Sequence, residues 1–198
     1  MTTVLQGEDS VTASAESAAA FYCFYSAGGF ANGTATKAKF PGKLYMGITP
    51  TVSDIAGADT LDIENGDATN EDAVTFVKNA KPPNLNLPTL YTSESNVAAL
   101  KSTLTAAGIA RSRYYLFQAD WNDKDSVPAG VDIAQYENTV PYDKDVAYSY
   151  VFKALNAPVK TVPAKQTGTV HSDTTGGNAK VYSVDGGQTW LFHKPAGF

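Results

Sequence analysis

Two carboxylates one residue apart, Asp62 and Glu64, are the part of this 198-residue chain best placed to do chemistry. In Thr60-Leu61-Asp62-Ile63-Glu64-Asn65-Gly66, strand alternation puts Leu61 and Ile63 on one face and both acids on the other. Two carboxyl groups crowded into a partly dry mouth cannot both ionise freely. One pKa rises, giving an acid able to protonate a leaving oxygen near neutral pH. Cleavage of a glycosidic bond needs such an acid and a second carboxylate to support the developing positive charge. The same spacing also suits two surface acids at a strand end, capping the next helix. Further candidates close other apolar runs: Asp9, Asp120 with Trp121, and Gln135 with Tyr136. Rings beside carboxylates suit a sugar, whose apolar face stacks while its hydroxyls accept and donate hydrogen bonds. Rim packing for Trp121 and Tyr136, and turn formation for Asp9 and Asp120, are the competing readings.

These residues need elements to hold them. Strands are expected at about Thr3–Asp9, Phe21–Ser26, Leu44–Thr49, Thr60–Glu64, Leu87–Thr92, Tyr114–Asp120 and Val131–Tyr136. Several are apolar throughout, as strands covered on both faces are. A helix is expected over Glu94–Ala107, with Ser93 as its cap, Val97, Leu100 and Leu104 as its stripe and Gly108 as its stop. A second is expected over Asn70–Asn79, with Thr69 as N-cap, Glu71 and Asp72 in the first turn and Lys78 near the end, in accord with the helix dipole. Ala15–Ala20 and Thr34–Phe40 read as abbreviated helices. Strand–helix alternation predicts parallel strands with right-handed crossovers. The fold class expected is α/β, a small irregular TIM-like β/α barrel over residues 1–156. The Asn65-Gly66 turn would set the acid pair at the carboxyl end of its strand, where barrel sites lie.

The totals narrow the function. A net charge of −5 argues against nucleic-acid binding, which draws on Lys and Arg to neutralise phosphates, and against docking on anionic lipid. No apolar stretch approaches the ~20 residues needed to span a bilayer. Met1 to Ser10 lacks the basic end and apolar run of a signal peptide. The chain is therefore expected to be made in the cytoplasm, and a site of action outside the cell would need delivery by a route other than ordinary secretion. The one cysteine, Cys23, sits in Phe21-Tyr22-Cys23-Phe24-Tyr25 and reads as a buried thiol. His171 and His193 have no Cys or His at metal-ligand spacing, so neither metal nor cofactor is expected.

At Asp62-Ile63-Glu64, Leu90-Tyr91-Thr92, Ala119-Asp120-Trp121, Ala134-Gln135-Tyr136 and Tyr142-Asp143, the chain resembles family-25-like glycoside hydrolases. Those are lysozyme-type muramidases with an irregular β/α barrel. A small-barrel subgroup of actinobacteria and their phages is closer still, through Asp9-Ser10-Val11-Thr12-Ala13-Ser14, Phe40-Pro41-Gly42 and Leu61 to Thr69. The resemblance covers roughly residues 3–155. It implies Glu64 as general acid, Asp62 as its assistant or as stabiliser of the oxocarbenium-like state, and Asp9 and Asp120 as further acids at the mouth. It also implies substrate binding by Tyr91, Trp121, Gln135 and Tyr136, with bacterial cell-wall glycan as the partner. One departure stands out: where the subgroup has Tyr-x-Asp-Gly, this chain has Tyr25-Ser26-Ala27-Gly28.

Beyond Asn156 the composition changes. Residues 157–179 read as an extended linker or arm. Residues 180–198 read as a β-hairpin whose Ser183-Val184-Asp185-Gly186-Gly187-Gln188-Thr189-Trp190 resembles an Asp-box, a turn braced by Asp and Ser over a packed Trp. Two functions follow as expectations. One is a phage-type protein that cleaves or binds cell-wall glycan, mounted on the virion or free. The other is a catalytically inactive virion component, in the tail or on the capsid surface, whose arm contacts other virion proteins.

Overall fold

The structure, a computed structural model, describes residues 3–13, 17–64, 66–139 and 141–156, and the short strands 168–169, 180–183 and 190–192. The chain divides into two compact units, Met1–Ala157 and Pro158–Phe198.

The first unit is a closed mixed barrel of eight strands with few helices. Its strands are β1 (Val4–Asp9), β2 (Phe21–Tyr25), β3 (Leu44–Thr49), β4 (Thr60–Asp62), β5 (Thr89–Ser93), β6 (Tyr115–Ala119), β7 (Ile133–Asn138) and β8 (Asp143–Tyr148). From β1 to β7 each strand lies parallel to the next. The strand β8, which the expected list lacks, runs antiparallel to both β7 and β1 and closes the barrel. The all-parallel expectation is corrected there. Residues 139–142 are all that separate β7 from β8, and a parallel return needs a crossover of a dozen residues or more.

The helices are α1 (Gly33–Lys39), α2 (Asn70–Asn79), α3 (Val97–Ala106) and the single turn α4 (Lys153–Asn156). A full capping box starts α2: the Thr69 hydroxyl accepts from the Asp72 backbone N–H, and the Asp72 carboxylate accepts from the Thr69 backbone N–H. The span expected from Glu94 begins with a 3-10 turn, Glu94–Asn96, before α3, and Ser93 makes no capping bond. Its hydroxyl pairs with that of Ser95 instead. Of the helix expected over Ala15–Ala20, the described part, Ser17–Ala20, is irregular.

Alternation along each strand builds two apolar layers. The inner layer fills the barrel with Phe21, Cys23, Met46, Ile48, Phe117, Ile133 and Ala147, and Leu85 and Phe152 join it. The outer layer, Leu61, Ile63, Leu90 and Leu116, packs on Phe76, Val77, Leu100 and Leu104 of α2 and α3. Helices therefore cover chiefly the β4–β6 wall. Close packing inside dictates a glycine on β1: a Cβ at Gly7 would lie 2.1 Å from Phe21 Cζ. The turn after β4 is likewise glycine-dependent, with Gly66 at φ +103°.

Asp59 ties the loop ahead of β4 to neighbouring chain. Its buried carboxylate accepts from the backbone N–H of Gly47, Asn84 and Leu85 and from the Asn84 amide.

In the second unit, β9 (Gly168–Thr169), β10 (Lys180–Ser183) and β11 (Trp190–Phe192) form an antiparallel sheet in the order β11-β10-β9. The Asp-box turn and the rest of the expected arm lie outside the described residues. No described helix is long and apolar enough to cross a membrane.

Candidate functional site

Four strand ends deliver inward-facing groups to one end of the barrel. On β1 the inward phase runs Leu5, Gly7, Asp9. On β8 it runs Ala147, Asp145, Asp143, with Asp9 opposite Asp143 and Gly7 opposite Asp145. On β4 the inward residue is Asp62, and on β7 it is Gln135. Leu61 and Ile63 pack outward among the helix-facing residues, so the alternation does turn Asp62 into the barrel. Glu64 lies past the strand, since β4 ends at Asp62.

Asp62 is 1% exposed. The Tyr25 hydroxyl donates to its Oδ2 at 2.8 Å, and its Oδ1 has no hydrogen-bond partner among the described residues. Burial lifts its pKa from 3.8 to about 7, against the pull of the Tyr25 bond and with added repulsion from Glu64 and Asp67. Asp9 is also raised to about 7, first by desolvation and then by Asp143, with Asp62 and Glu64 adding to the rise while Gln135 opposes it. Glu64 is raised by partial burial and by Asp67, and a hydrogen bond from Tyr91 tempers the rise. Asp143 is raised by burial and by Glu64, while the Thr139 backbone N–H lowers it. Among the described residues, the charges that act on these four carboxyls are themselves carboxylates, and each raises the pKa of its neighbour.

Gln135 connects the group. Its Oε1 accepts from the Tyr91 hydroxyl at 3.0 Å and from the Trp121 indole N–H at 2.8 Å. Its Nε2 donates to Asp9 Oδ2 at 2.6 Å and reaches Asp143 Oδ2 at 3.5 Å. Beneath Asp9 lies Asp145, fully buried. Among the described residues neither of its oxygens has a nitrogen or oxygen donor, and the Cys23 thiol offers it a hydrogen bond. Burial first, then Asp9, push its pKa well up.

One expected site residue falls elsewhere. Tyr136 follows inward Gln135 and so points out of the barrel. It packs with Ala134 and Val146 on the outer wall and donates to Gln6 Oε1 at 3.1 Å. The correction follows from strand geometry: with period two, neighbours cannot share a face. Asp120 lies just past the end of β6 at Ala119. Its Oδ2 accepts from Asn122, and burial first, then Glu94, raises its pKa. Its Oδ1 is buried with no hydrogen-bond partner among the described residues. Two groups that matter, Tyr25 and Asp145, are not among the expected residues. The signal for Tyr25 was its place in phase with Phe21 and Cys23 at the end of β2. Asp145 lay in a charged stretch with no strand signature.

Glu64 borders a groove of about 700 Å³, shared with Asp67, Asn70, Glu71, Ser93 and Asn96. A larger depression of about 860 Å³, between Arg111, Tyr114 and Tyr150, lies on another wall with none of these carboxyls. The carboxyls, rather than the volume, locate the site. Among the described residues no three His, Cys, Asp or Glu converge as a metal site. The chain finds no significant match among protein-family models, curated proteins or solved structures.

Proposed function

We propose that the protein is a glycoside-hydrolase-like barrel of the lysozyme type, irregular and TIM-like, acting on bacterial cell-wall glycan. The observation that carries this reading is the gathering of Asp9, Asp62, Glu64 and Asp143 at one barrel mouth, each with its pKa raised by burial and by neighbouring acids. Buried, unpaired carboxyls cost stability, and a barrel kept only as a scaffold gains nothing from them. Glu64 is the general acid, because of these four carboxyls it is the one that borders an open groove. It gives its proton to the glycosidic oxygen as the bond to the anomeric carbon breaks. Asp62, once ionised, supports the positive charge that develops on the ring. Tyr25 and Tyr91 hold the pair in place.

A second reading, a catalytically inactive virion component, draws on different observations. Asp62 is almost fully enclosed, Tyr25, Tyr91 and Gln135 fill the mouth above the core, and Ala27 stands where an acid is expected. Turbidity of bacterial cell-wall suspensions separates the two. The native protein clears them and Glu64→Gln does not. No clearing by either protein defeats the enzymatic reading.

A further inference from the structure

Trp121 combines three features that packing alone does not require. Its ring is 53% exposed. Its backbone sits at φ +39°, in the left-handed region that a bulky residue occupies only at a cost. Its indole N–H, which can only donate, is spent on Gln135 Oε1. That last bond has a consequence for Asp9. An amide can rotate by half a turn and exchange oxygen for nitrogen at little steric expense. With the indole N–H, which can only donate, aimed at one end of Gln135, that end must be the oxygen, and the nitrogen must face Asp9; the Tyr91 hydroxyl can donate or accept and fits either orientation.

We infer that Trp121 is a positioning residue for Asp9: through Gln135 it directs an amide N–H onto that carboxyl while presenting its exposed ring to the sugar that enters the mouth. The second half of this statement rests on the glycan reading. The first half does not. Other groups act on Asp9 too: Asp143 from β8, and Asp62 and Glu64 from β4 and the turn after it. All are acids and oppose its ionisation. The Gln135 N–H favours it. Asp145, also facing Asp9 from β8, is itself raised by it.

The test reads the Asp9 carboxyl by carbon-13 NMR titration in the full chain, for the native protein, Trp121→Phe, Gln135→Leu and the double variant. Trp121→Phe keeps a ring and removes the donor. Its Asp9 titration is expected to move up by about 0.5 to 1 pH unit. Gln135→Leu moves it at least as far, and adding Trp121→Phe to Gln135→Leu moves it no further. An unmoved titration in Trp121→Phe, or shifts that simply add in the double variant, overturns the inference. Because Gln135→Leu tests the same link from the other side, a Trp121 variant that failed to fold would not rescue it: an unmoved Asp9 in Gln135→Leu alone is also fatal. Cell-wall clearing by the same proteins separates this from the glycan reading. NMR shifts as expected with no clearing by any protein uphold the link and defeat the hydrolase.

Discussion

The Tyr25 hydroxyl reaches from the end of β2 to Asp62 Oδ2 on β4, 2.8 Å away, and supplies the hydrogen bond recorded for that carboxyl. Its effect opposes the burial that keeps the proton on Asp62. Tyr25→Phe removes the oxygen and little else. A hydrogen bond to a charged group contributes ~1.5–3 kcal/mol, so the Asp62 carboxyl should rise above about 7 by roughly 1 to 2 pH units. Carboxyl NMR reads this directly. If the protein clears cell walls, the limb of its pH profile that follows Asp62 moves upward with it. An Asp62 titration that ignores the loss of Tyr25 would show that burial alone sets it.

The raised acids reverse the usual pH dependence of stability. Asp9 and Asp62 bind protons in the fold up to about pH 7, and in the unfolded chain only to about 3.8. Between those values the native state holds more protons. This contribution to stability is therefore complete below about pH 4 and is lost as pH rises through 7. For Asp62 it amounts to roughly 4 kcal/mol. Urea denaturation should accordingly give a lower midpoint at pH 8 than at pH 5. Asp145 shifts in the same direction, so Asp145→Asn should flatten the difference and stabilise the protein at pH 8. A midpoint that climbs from pH 5 to pH 8 contradicts the assignment.

Gly7 has no room for a side chain. The Phe21 ring that occupies its place also packs on Phe152, with ring centroids 5.1 Å apart, so it cannot easily yield. Gly7→Ala should cost about 3 kcal/mol or more, read as a drop in the denaturation midpoint. Combined with Phe21→Leu, the loss should be smaller than the sum of the two single changes, since the smaller side chain clears the space.

Asp59 is a structural acid with a different role from Asp62. Removing its carboxylate in Asp59→Ala strands the backbone N–H groups of Gly47, Asn84 and Leu85. The cost should be roughly 3–5 kcal/mol, with faster amide exchange at those three positions. Exchange that stays slow at Gly47 and Asn84 would mean that other groups take over their protons.

Much of the wall was legible in the residues. The seven strands from β1 to β7 and helix α2 announce themselves through apolar runs, turn residues and the Thr69 cap, because each signal is local. Asp62 could be turned inward on paper because Leu61 and Ile63 demand an apolar neighbour. The eighth strand was not legible. Its inward residues Asp143 and Asp145 are charged, and a strand with acids on its buried face looks like a loop until the acids beside it are in view.

By itself, then, the sequence determined which residues alternate, where α2 begins, and that Asp62 and Glu64 stand together at a strand end. It also set the absence of any internal disulfide and an acidic net charge. For strands without so clear an alternation, β7 and β8 above all, only the tertiary structure decided which face became the inside. That choice placed Gln135 in the mouth and Tyr136 outside it, and the fold brought Tyr25 to Asp62 across 37 residues of chain. The reason is physical. A period of two fixes which neighbours share a face, but the closure of the barrel by β8 fixes which face is enclosed and which distant carboxyls must share one dry space.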